Sequence, residues 1–440
     1  MRHAVILGAG ESGLGAALLL RKERARVTVW DRAPSDSALA ALHAIGVSAV
    51  PTGDRPPWPS DADLCVISPG IPLSHPWVRQ ALEHGIPIVP EFELGWSRFS
   101  GKTLAITGTN GKSTMVKWAA ESLQAAGLRA APCGNYGPSV CRVVAEKKDL
   151  DWLVIEASSF QLEASVRFRA DIGILLNIAP NHLDRHGTMD AYISAKSRLF
   201  ANVGSDDWCL SPPSWLDRMR AAAGGRGRWL TFGVSPECDA EWRPGSIVLR
   251  HGECLRIQGT YFDNPVLGPH AAAVAASFVA AGLPIGALET SAREFEPLPH
   301  RMQKVAESRG VTFIDDSKST TLSAMSAALQ MAPGPVRLIA GGLLKQSDLD
   351  SVKQMLACRA RTVYLIGAST HAMKSAWSDV VPCRVCGSLE DAIRAAWSEA
   401  ERGDVILLSP GCASFDQFAN YIERGVIFRR IAESIARSSA

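Results

Sequence analysis

The chain has 440 residues, of which 47% are hydrophobic and 20% charged, with a formal net charge of +2. That length buries a sizeable core and, at roughly 150 residues per domain, suggests about three domains. The charge balance calls for neither a nucleic-acid nor an anionic-membrane partner, and no apolar run approaches the ~18 residues of a membrane span.

The N-terminal stretch reads as strand, turn and helix, not a signal peptide, because Gly8-Ala9-Gly10-Glu11-Ser12-Gly13 interrupts its apolar residues. A strand over Ala4-Val5-Ile6-Leu7 is followed by this glycine loop and a helix ending near Arg21, and a second strand, Val27-Thr28-Val29-Trp30, delivers Asp31. Spacing of this kind fits a dinucleotide fold and makes NAD the first guess, but the same tight turn and carboxylate serve any nucleotide diphosphate. Ser68-Pro69-Gly70-Ile71 follows the strand Leu64-Cys65-Val66-Ile67 as a second loop on the same sheet edge. A first domain is expected over residues 1–93.

The central domain, expected over residues 94–297, opens with the apolar run Thr103-Leu104-Ala105-Ile106-Thr107 and the loop Gly108-Thr109-Asn110-Gly111-Lys112-Ser113-Thr114. This is the pattern of a phosphate-binding loop. Its glycines let backbone N–H groups turn toward an anion, Lys112 reaches β- and γ-phosphates, and a hydroxyl of Ser113 or Thr114 can ligate Mg²⁺. The helix beginning at Lys112 carries Met115, Ala119, Ser122 or Leu123 and Ala126 on one face and stops at Gly127. A strand over Trp152-Leu153-Val154-Ile155 ends on Glu156, placing a carboxylate beside the loop as a natural magnesium ligand. A further buried-type strand, Ile172 to Asn177, opens onto Asn181-His182-Leu183-Asp184-Arg185-His186, where two histidines, an aspartate and an arginine at a strand's carboxyl end suggest a site. Lys196, on the helix after it, reads on its own as a solvated helix lysine.

The third domain, expected over residues 298–440, reads as another open parallel sheet. Its strands include Val336-Arg337-Leu338-Ile339-Ala340, Thr362-Val363-Tyr364-Leu365-Ile366 and Asp404-Val405-Ile406-Leu407-Leu408, each ending in a Gly- or Ser-containing loop. Ten cysteines scattered along the chain fit free thiols in a reducing cytoplasm, and Cys383 with Cys386 reads as an incidental pair.

Several strings together resemble the Mur ligases of peptidoglycan synthesis. They are the phosphate loop, Glu156-Ala157-Ser158-Ser159-Phe160-Gln161-Leu162-Glu163, the segment from Asn181 to His186, and Ala195-Lys196-Ser197-Arg198-Leu199-Phe200. Leu298-Pro299-His300-Arg301-Met302, Asp315-Asp316-Ser317-Lys318-Ser319-Thr320 and the segment from Leu408 to Phe418 are similar to the family's glutamate-adding members. The resemblance implies three α/β domains: an N-terminal Rossmann-like, a central P-loop ATPase-like and a C-terminal Rossmann-like domain. It implies an ATP-dependent ligase in which the terminal alanine carboxylate of UDP-N-acetylmuramoyl-L-alanine is phosphorylated and glutamate attacks the acyl phosphate. All these species are polyanionic, so positioning and positive charge carry such catalysis.

By the same resemblance, Gly108, Thr109, Asn110, Gly111, Lys112, Ser113, Thr114, Arg301 and Asp316 contact ATP. Ser113 or Thr114 with Glu156 hold one Mg²⁺, and His182 with a carbamylated Lys196 serve a second; Lys112, Glu156, His182 and Lys196 form the catalytic set. Glu11, Ser12, Asp31, Arg32, Ser68, Gly70, Asn135 and Ser158 would hold the UDP-substrate, displacing the NAD reading. Lys318, Thr320, Lys345, Ser414, Phe415 and Tyr421 would hold glutamate, and a monomer is expected. Two departures stand out. Ala271 and Val274 replace the asparagines that usually contact adenine after Gly268-Pro269-His270, and Leu343-Leu344 replaces a usual aspartate before Lys345. D-glutamate is the first expectation, with L-glutamate as alternative; another Mur or folylpolyglutamate-type ligase and an NAD-binding protein rank below.

Overall fold

The computed structural model describes residues 3–53, 57–344 and 348–438, and among them the strands form three sheets. The first comprises β1 (His3–Leu7), β2 (Arg26–Asp31), β3 (Ser48–Pro51), β4 (Leu64–Ile67) and β5 (Ile88–Pro90). All its pairings are parallel, in the order β3-β2-β1-β4-β5. Strands β1 and β4 are buried along their whole length, as continuous apolar runs are when helices cover both sheet faces. Order reverses between them, so the loops that follow β1 and β4 open onto one crevice. The helix Glu11–Lys22 starts in the first of these loops. A Cβ at Gly13 would lie 1.9 Å from the Gly8 carbonyl oxygen, so only glycine allows the helix to approach the turn this closely.

The central sheet holds β6 (Lys102–Thr107), β7 (Ala130–Gly134), β8 (Trp152–Glu156), β9 (Ile172–Leu175), β10 (Trp208–Ser211), β11 (Arg228–Gly233), β12 (Ala240–Arg243), β13 (Ser246–Leu249) and β14 (Cys254–Arg256). Its order is β14-β13-β12-β11-β10-β9-β6-β8-β7, with β6 flanked by β8 and β9. Strands β12, β13 and β14 pair antiparallel and extend the sheet beyond the segments that sequence patterning singles out. The helix Lys112–Ala125 buries Met115, Ala119, Ser122 and Leu123 as expected, but also Val116, Trp118 and Ala120. Trp118 stacks on Phe262 at 4.1 Å and donates to Ser291 Oγ at 3.0 Å, because a second helix, Gly286–Glu294, covers the outer side.

The third sheet contains β15 (Gln303–Ser308), β16 (Val311–Asp315), β17 (Val336–Gly341), β18 (Ala360–Ile366), β19 (Cys383–Val385) and β20 (Val405–Leu408), in the order β15-β16-β20-β17-β18-β19. It departs from a wholly parallel sheet at β15, which pairs antiparallel with β16. Only Arg309 and Gly310 separate the two strands, both with positive φ (51° and 74°), and a two-residue turn of that kind closes a hairpin.

The chain divides into two compact units, one formed by residues 1–263 and 267–295 and the other by 264–266 and 296–440. Within the first unit the helices Glu11–Lys22 and Val140–Glu146 pack together, and Ala16, Ala17, Leu94, Cys141 and Ala145 share one buried cluster. Among the described residues no helix is long and apolar enough to cross a membrane, and all ten cysteines are free.

Glu91 lies buried at this junction, accepting from the Cys141 backbone N–H at 2.7 Å, while its other oxygen has no partner. Burial pushes its carboxyl up to about 7, so the folded state favours the protonated form. The stabilising contribution is therefore complete below the unfolded value of 4.5 and is lost as pH rises through about 7. Glu91→Gln is expected to raise the melting temperature at pH 8, recovering on the order of 3 kcal/mol, and to leave it near the wild-type value at pH 4.5. Thermal unfolding at the two pH values checks this, and a gap equal at both would refute it.

Candidate active site

The phosphate loop is built by β6 and the helix Lys112–Ala125, joined through Gly111 at φ 84°. Asn177, just past β9, clips the loop from the side. Its Oδ1 accepts from the Thr109 and Asn110 N–H groups at 3.0 and 2.9 Å. Its Nδ2 therefore donates, to the Asn110 carbonyl at 3.0 Å and to His270 Nε2 at 2.8 Å. His270 then carries its proton on Nδ1, and burial, which pushes its pKa down to about 4, keeps the ring neutral. Thr109 is fixed a second time, its hydroxyl accepting from the Ala179 N–H at 2.9 Å and lying 3.1 Å from the Tyr192 hydroxyl. These supports leave the loop little freedom, which suits a site that must hold phosphate without reorganising.

A cavity of about 210 Å³ lies beside the loop, lined among others by Gly108, Thr109, Lys112, Asn135, Ser158, Phe160, His182 and Lys196. Lys196 is not the solvated lysine that its helix alone suggests: it is 1% exposed, and its Nζ donates to the Gly108 carbonyl at 2.7 Å. Burial, reinforced by the Lys112 charge, pushes its pKa down to about 6. Lys112 turns back over the loop to donate to the Thr109 carbonyl at 2.9 Å. Glu156, at the end of β8, is 1% exposed; Oε1 accepts from Asn135 Nδ2 at 2.7 Å and Oε2 is buried without a hydrogen-bond partner. His182 caps the short helix Leu183–His186 in a left-handed conformation (φ 55°), and burial, then Lys112, lowers its pKa. Ser113 and Thr114 are buried in the first turn of the loop helix.

A second cavity, of about 490 Å³, occupies the crevice of the first sheet and is lined by Glu11, Ser12, Asp31, Arg32, Ser68 and Gly70, with Trp77 and His75. Asp31 does not stand free there: its two oxygens accept from the Ala9 and Ala33 N–H groups at 2.7 and 2.9 Å. Glu11 is paired with Arg142 at 2.7 Å. The residues expected to hold the UDP-substrate thus fall into two groups, six in this crevice and Asn135 with Ser158 in the cavity beside the phosphate loop.

In the second unit, Arg301 sits between two residues of positive φ, His300 (61°) and Met302 (45°). That bend is braced by Asp315, 2.6 Å from His300 Nδ1, and by Asp316, which accepts from the Met302 N–H at 3.2 Å and from Ser409 Oγ at 2.8 Å. Burial pushes the Asp316 carboxyl up to about 7. Lys318 lies 5.5 Å from the Tyr421 ring, Ser414 is buried, and Phe415 is 67% exposed. Arg424 is the residue that sequence reading passes over. It is 1% exposed and donates to the Ser317 and Cys412 carbonyls, which ties together the loops bearing Lys318, Thr320 and Ser414. No local pattern marks it, since a helix arginine usually faces solvent. Leu343 exchanges backbone bonds with Ala413 at 2.8 and 2.9 Å, Leu344 packs on the domain core, and Lys345 lies outside the described residues. Ala271 and Val274 are fully buried in the helix Gly268–Ala280, so neither offers a polar contact.

Residues 2–90 match the N-terminal domain of MurD-like Mur ligases, residues 106–264 the Mur ligase middle domain, and residues 300–412 the glutamate ligase domain of Mur ligases. The chain is 37% identical over 440 residues to the UDP-N-acetylmuramoylalanine–D-glutamate ligase of Acidobacterium capsulatum, covering 97% of this chain and 95% of that one. The enzyme of the same name from Nitratidesulfovibrio vulgaris strain Hildenborough is 37% identical over 442 residues, covering 98% and 96%. Among solved structures, MurF ligase from Thermotoga maritima in complex with ADP has a TM-score of 0.63 at 16% identity, covering 93% of this chain and 96% of that one. A pseudomurein peptide ligase type C from Methanothermus fervidus has a TM-score of 0.61 at 15% identity, covering 99% and 100%. With all three domain families matched in order and relatives alike along nearly the whole chain, this protein belongs to the Mur ligases, ATP-dependent amide-forming enzymes.

Proposed function

We propose that the chain joins D-glutamate to UDP-N-acetylmuramoyl-L-alanine through an acyl phosphate, acting as a cytoplasmic monomer in peptidoglycan precursor synthesis. The observation that carries the chemistry is the phosphate-loop cavity lined by Lys112, Asn135, His182 and Lys196, together with Glu156, which is buried against the cavity residue Asn135 and keeps Oε2 without a hydrogen-bond partner. A buried carboxylate oxygen without a hydrogen-bond partner fits Mg²⁺, which takes few protein ligands and completes its shell with phosphate oxygens and water. When bound, ATP and Mg²⁺ supply the phosphoryl group and neutralise its charge. The chain's own part is positional: the loop amides and Lys112 hold the phosphates, and Asn135 orients Glu156. The UDP moiety belongs in the crevice lined by Glu11, Ser12, Asp31, Arg32, Ser68 and Gly70. Arg301 and Asp316 would contact ATP, while Lys318, Thr320, Lys345, Ser414, Phe415 and Tyr421 would hold glutamate.

Among the described residues no three His, Cys, Asp or Glu side chains gather as a ready-made metal site. A second magnesium beside His182 therefore needs another anion, and Lys196 supplies it as a carbamate. The neutral amine attacks CO₂, its nitrogen gains a carboxylate and one proton leaves to solvent. Burial and the nearby Lys112 favour the neutral amine that this step requires.

The enantiomer is tested by competing D- and L-glutamate at equal concentration and scoring the ratio of kcat/KM. We expect a preference for D-glutamate, in line with the activity named for both relatives. L-glutamate remains the second reading because Leu343, beside Ser414 through its pairing with Ala413, stands where an acid is usual. A preference for L would overturn the first choice.

A further inference from the structure

Arg185 carries no role in the chemistry above, yet its guanidinium joins three parts of the fold. It stands in the helix Leu183–His186, three residues after His182. One Nη donates to the Pro69 carbonyl at 2.8 Å, on the loop that lines the crevice of the first sheet. The other donates to Glu163, and the guanidinium lies over the Phe160 ring, 4.2 Å from its centroid. Phe160 lines the phosphate-loop cavity and meets the His182 ring edge-on at 4.8 Å. The same elements hold His186, whose Nε2 is 3.0 Å from Ser159 Oγ and whose Nδ1 is 3.6 Å from Glu163.

The Arg185 and Glu163 side chains are only 16% and 19% exposed, so their pairing is not the loose, screened contact of a surface salt bridge. A planar fork with five donors can face a carboxylate, a carbonyl and a ring at once, which a lysine ammonium cannot. Pro69 offers no N–H, so its carbonyl is the backbone group by which Arg185 takes hold of this residue of the loop.

We infer that Arg185 is a positioning residue that couples filling of the nucleotide crevice to the placement of His182. A UDP moiety seated against the 68–72 loop fixes Pro69; Arg185 carries that constraint to Phe160 and Glu163, and the His182 ring is held where it serves the reacting end. Binding energy from a remote part of the substrate then appears in kcat, not only in KM. This inference rests on the function proposed above.

The test compares the wild-type chain with Arg185→Gln on two substrates, UDP-N-acetylmuramoyl-L-alanine and the fragment N-acetylmuramoyl-L-alanine, each at saturation with ATP, Mg²⁺ and D-glutamate. Wild-type kcat should fall on the order of 10-fold or more on removing the uridylyl group, the usual scale of coupling between sites. In Arg185→Gln the fragment rate should hold while the rate on the full substrate falls to meet it. Glu163→Gln, which loosens the anchor and leaves the arginine in place, should compress the ratio in the same direction, and melting temperatures report whether each variant folds. Equal fractional losses on both substrates, or a ratio as large as in the wild type, would overturn the coupling. A wild-type chain inactive on the full substrate would sink the proposed function itself, and the coupling with it.

Discussion

Lys112→Ala is expected to lower kcat at least ~10²-fold, the scale for losing one donor that acts on charge developing in a transition state. The ammonium donates to the Thr109 carbonyl at 2.9 Å, so it is stationed over the loop before any nucleotide arrives. Phosphate release from ATP with UDP-N-acetylmuramoyl-L-alanine and glutamate provides the measurement. Because Asn177 and Tyr192 brace Thr109 independently, the loop itself should survive the substitution, and the melting temperature should move little. Turnover near the wild-type level would end the assignment of this loop to phosphoryl transfer.

Lys196→Ala should be nearly inactive, and its activity should return in part when formate or acetate is added, because a small carboxylate can occupy the space left by the carbamate. The substitution also strips the Gly108 carbonyl of its donor, and a buried group left unpaired costs about 1–3 kcal/mol. The two consequences separate cleanly. A lysine that only braced Gly108 would give a less stable protein that no carboxylate rescues; a carbamate gives a rescue that titrates with the added anion. Full activity in the variant would exclude the carbamate, and an unchanged melting temperature would exclude the brace.

The parts of the site that could be read from sequence are those whose signal is local. A glycine loop between an apolar strand and a helix, as at residues 108–114, shows its geometry in consecutive residues, and the structure folds it that way. Glu156 was visible for the same reason, as the residue that ends a buried strand. Lys196 was reached only through the family resemblance: its own neighbours give an ordinary helix, and the carbonyl its ammonium meets, that of Gly108, lies 88 positions away. The clip formed by Asn177 and His270 spans 93 positions and leaves no mark on either segment. Strands β12 to β14 were missed because they are three or four residues long and their pairing is set by hairpin turns. A parallel third sheet was expected, and the two-residue turn at Arg309 and Gly310 made its edge antiparallel.

The junction within the first unit bears on how such a protein can be taken apart. The first sheet has the strand order and crevice of a self-standing nucleotide-binding module. Yet Leu94, Cys141 and Ala145 belong to the same apolar cluster as Ala16 and Ala17, Lys22 donates to the Ala145 carbonyl, and Glu11 is paired with Arg142. A cut at residue 93 would pass through a shared interior, leaving two wet apolar faces where one dry contact had been. The helix Val140–Glu146 is therefore part of what keeps the first sheet's helical face dry, and a separated piece ending at residue 93 would lack it.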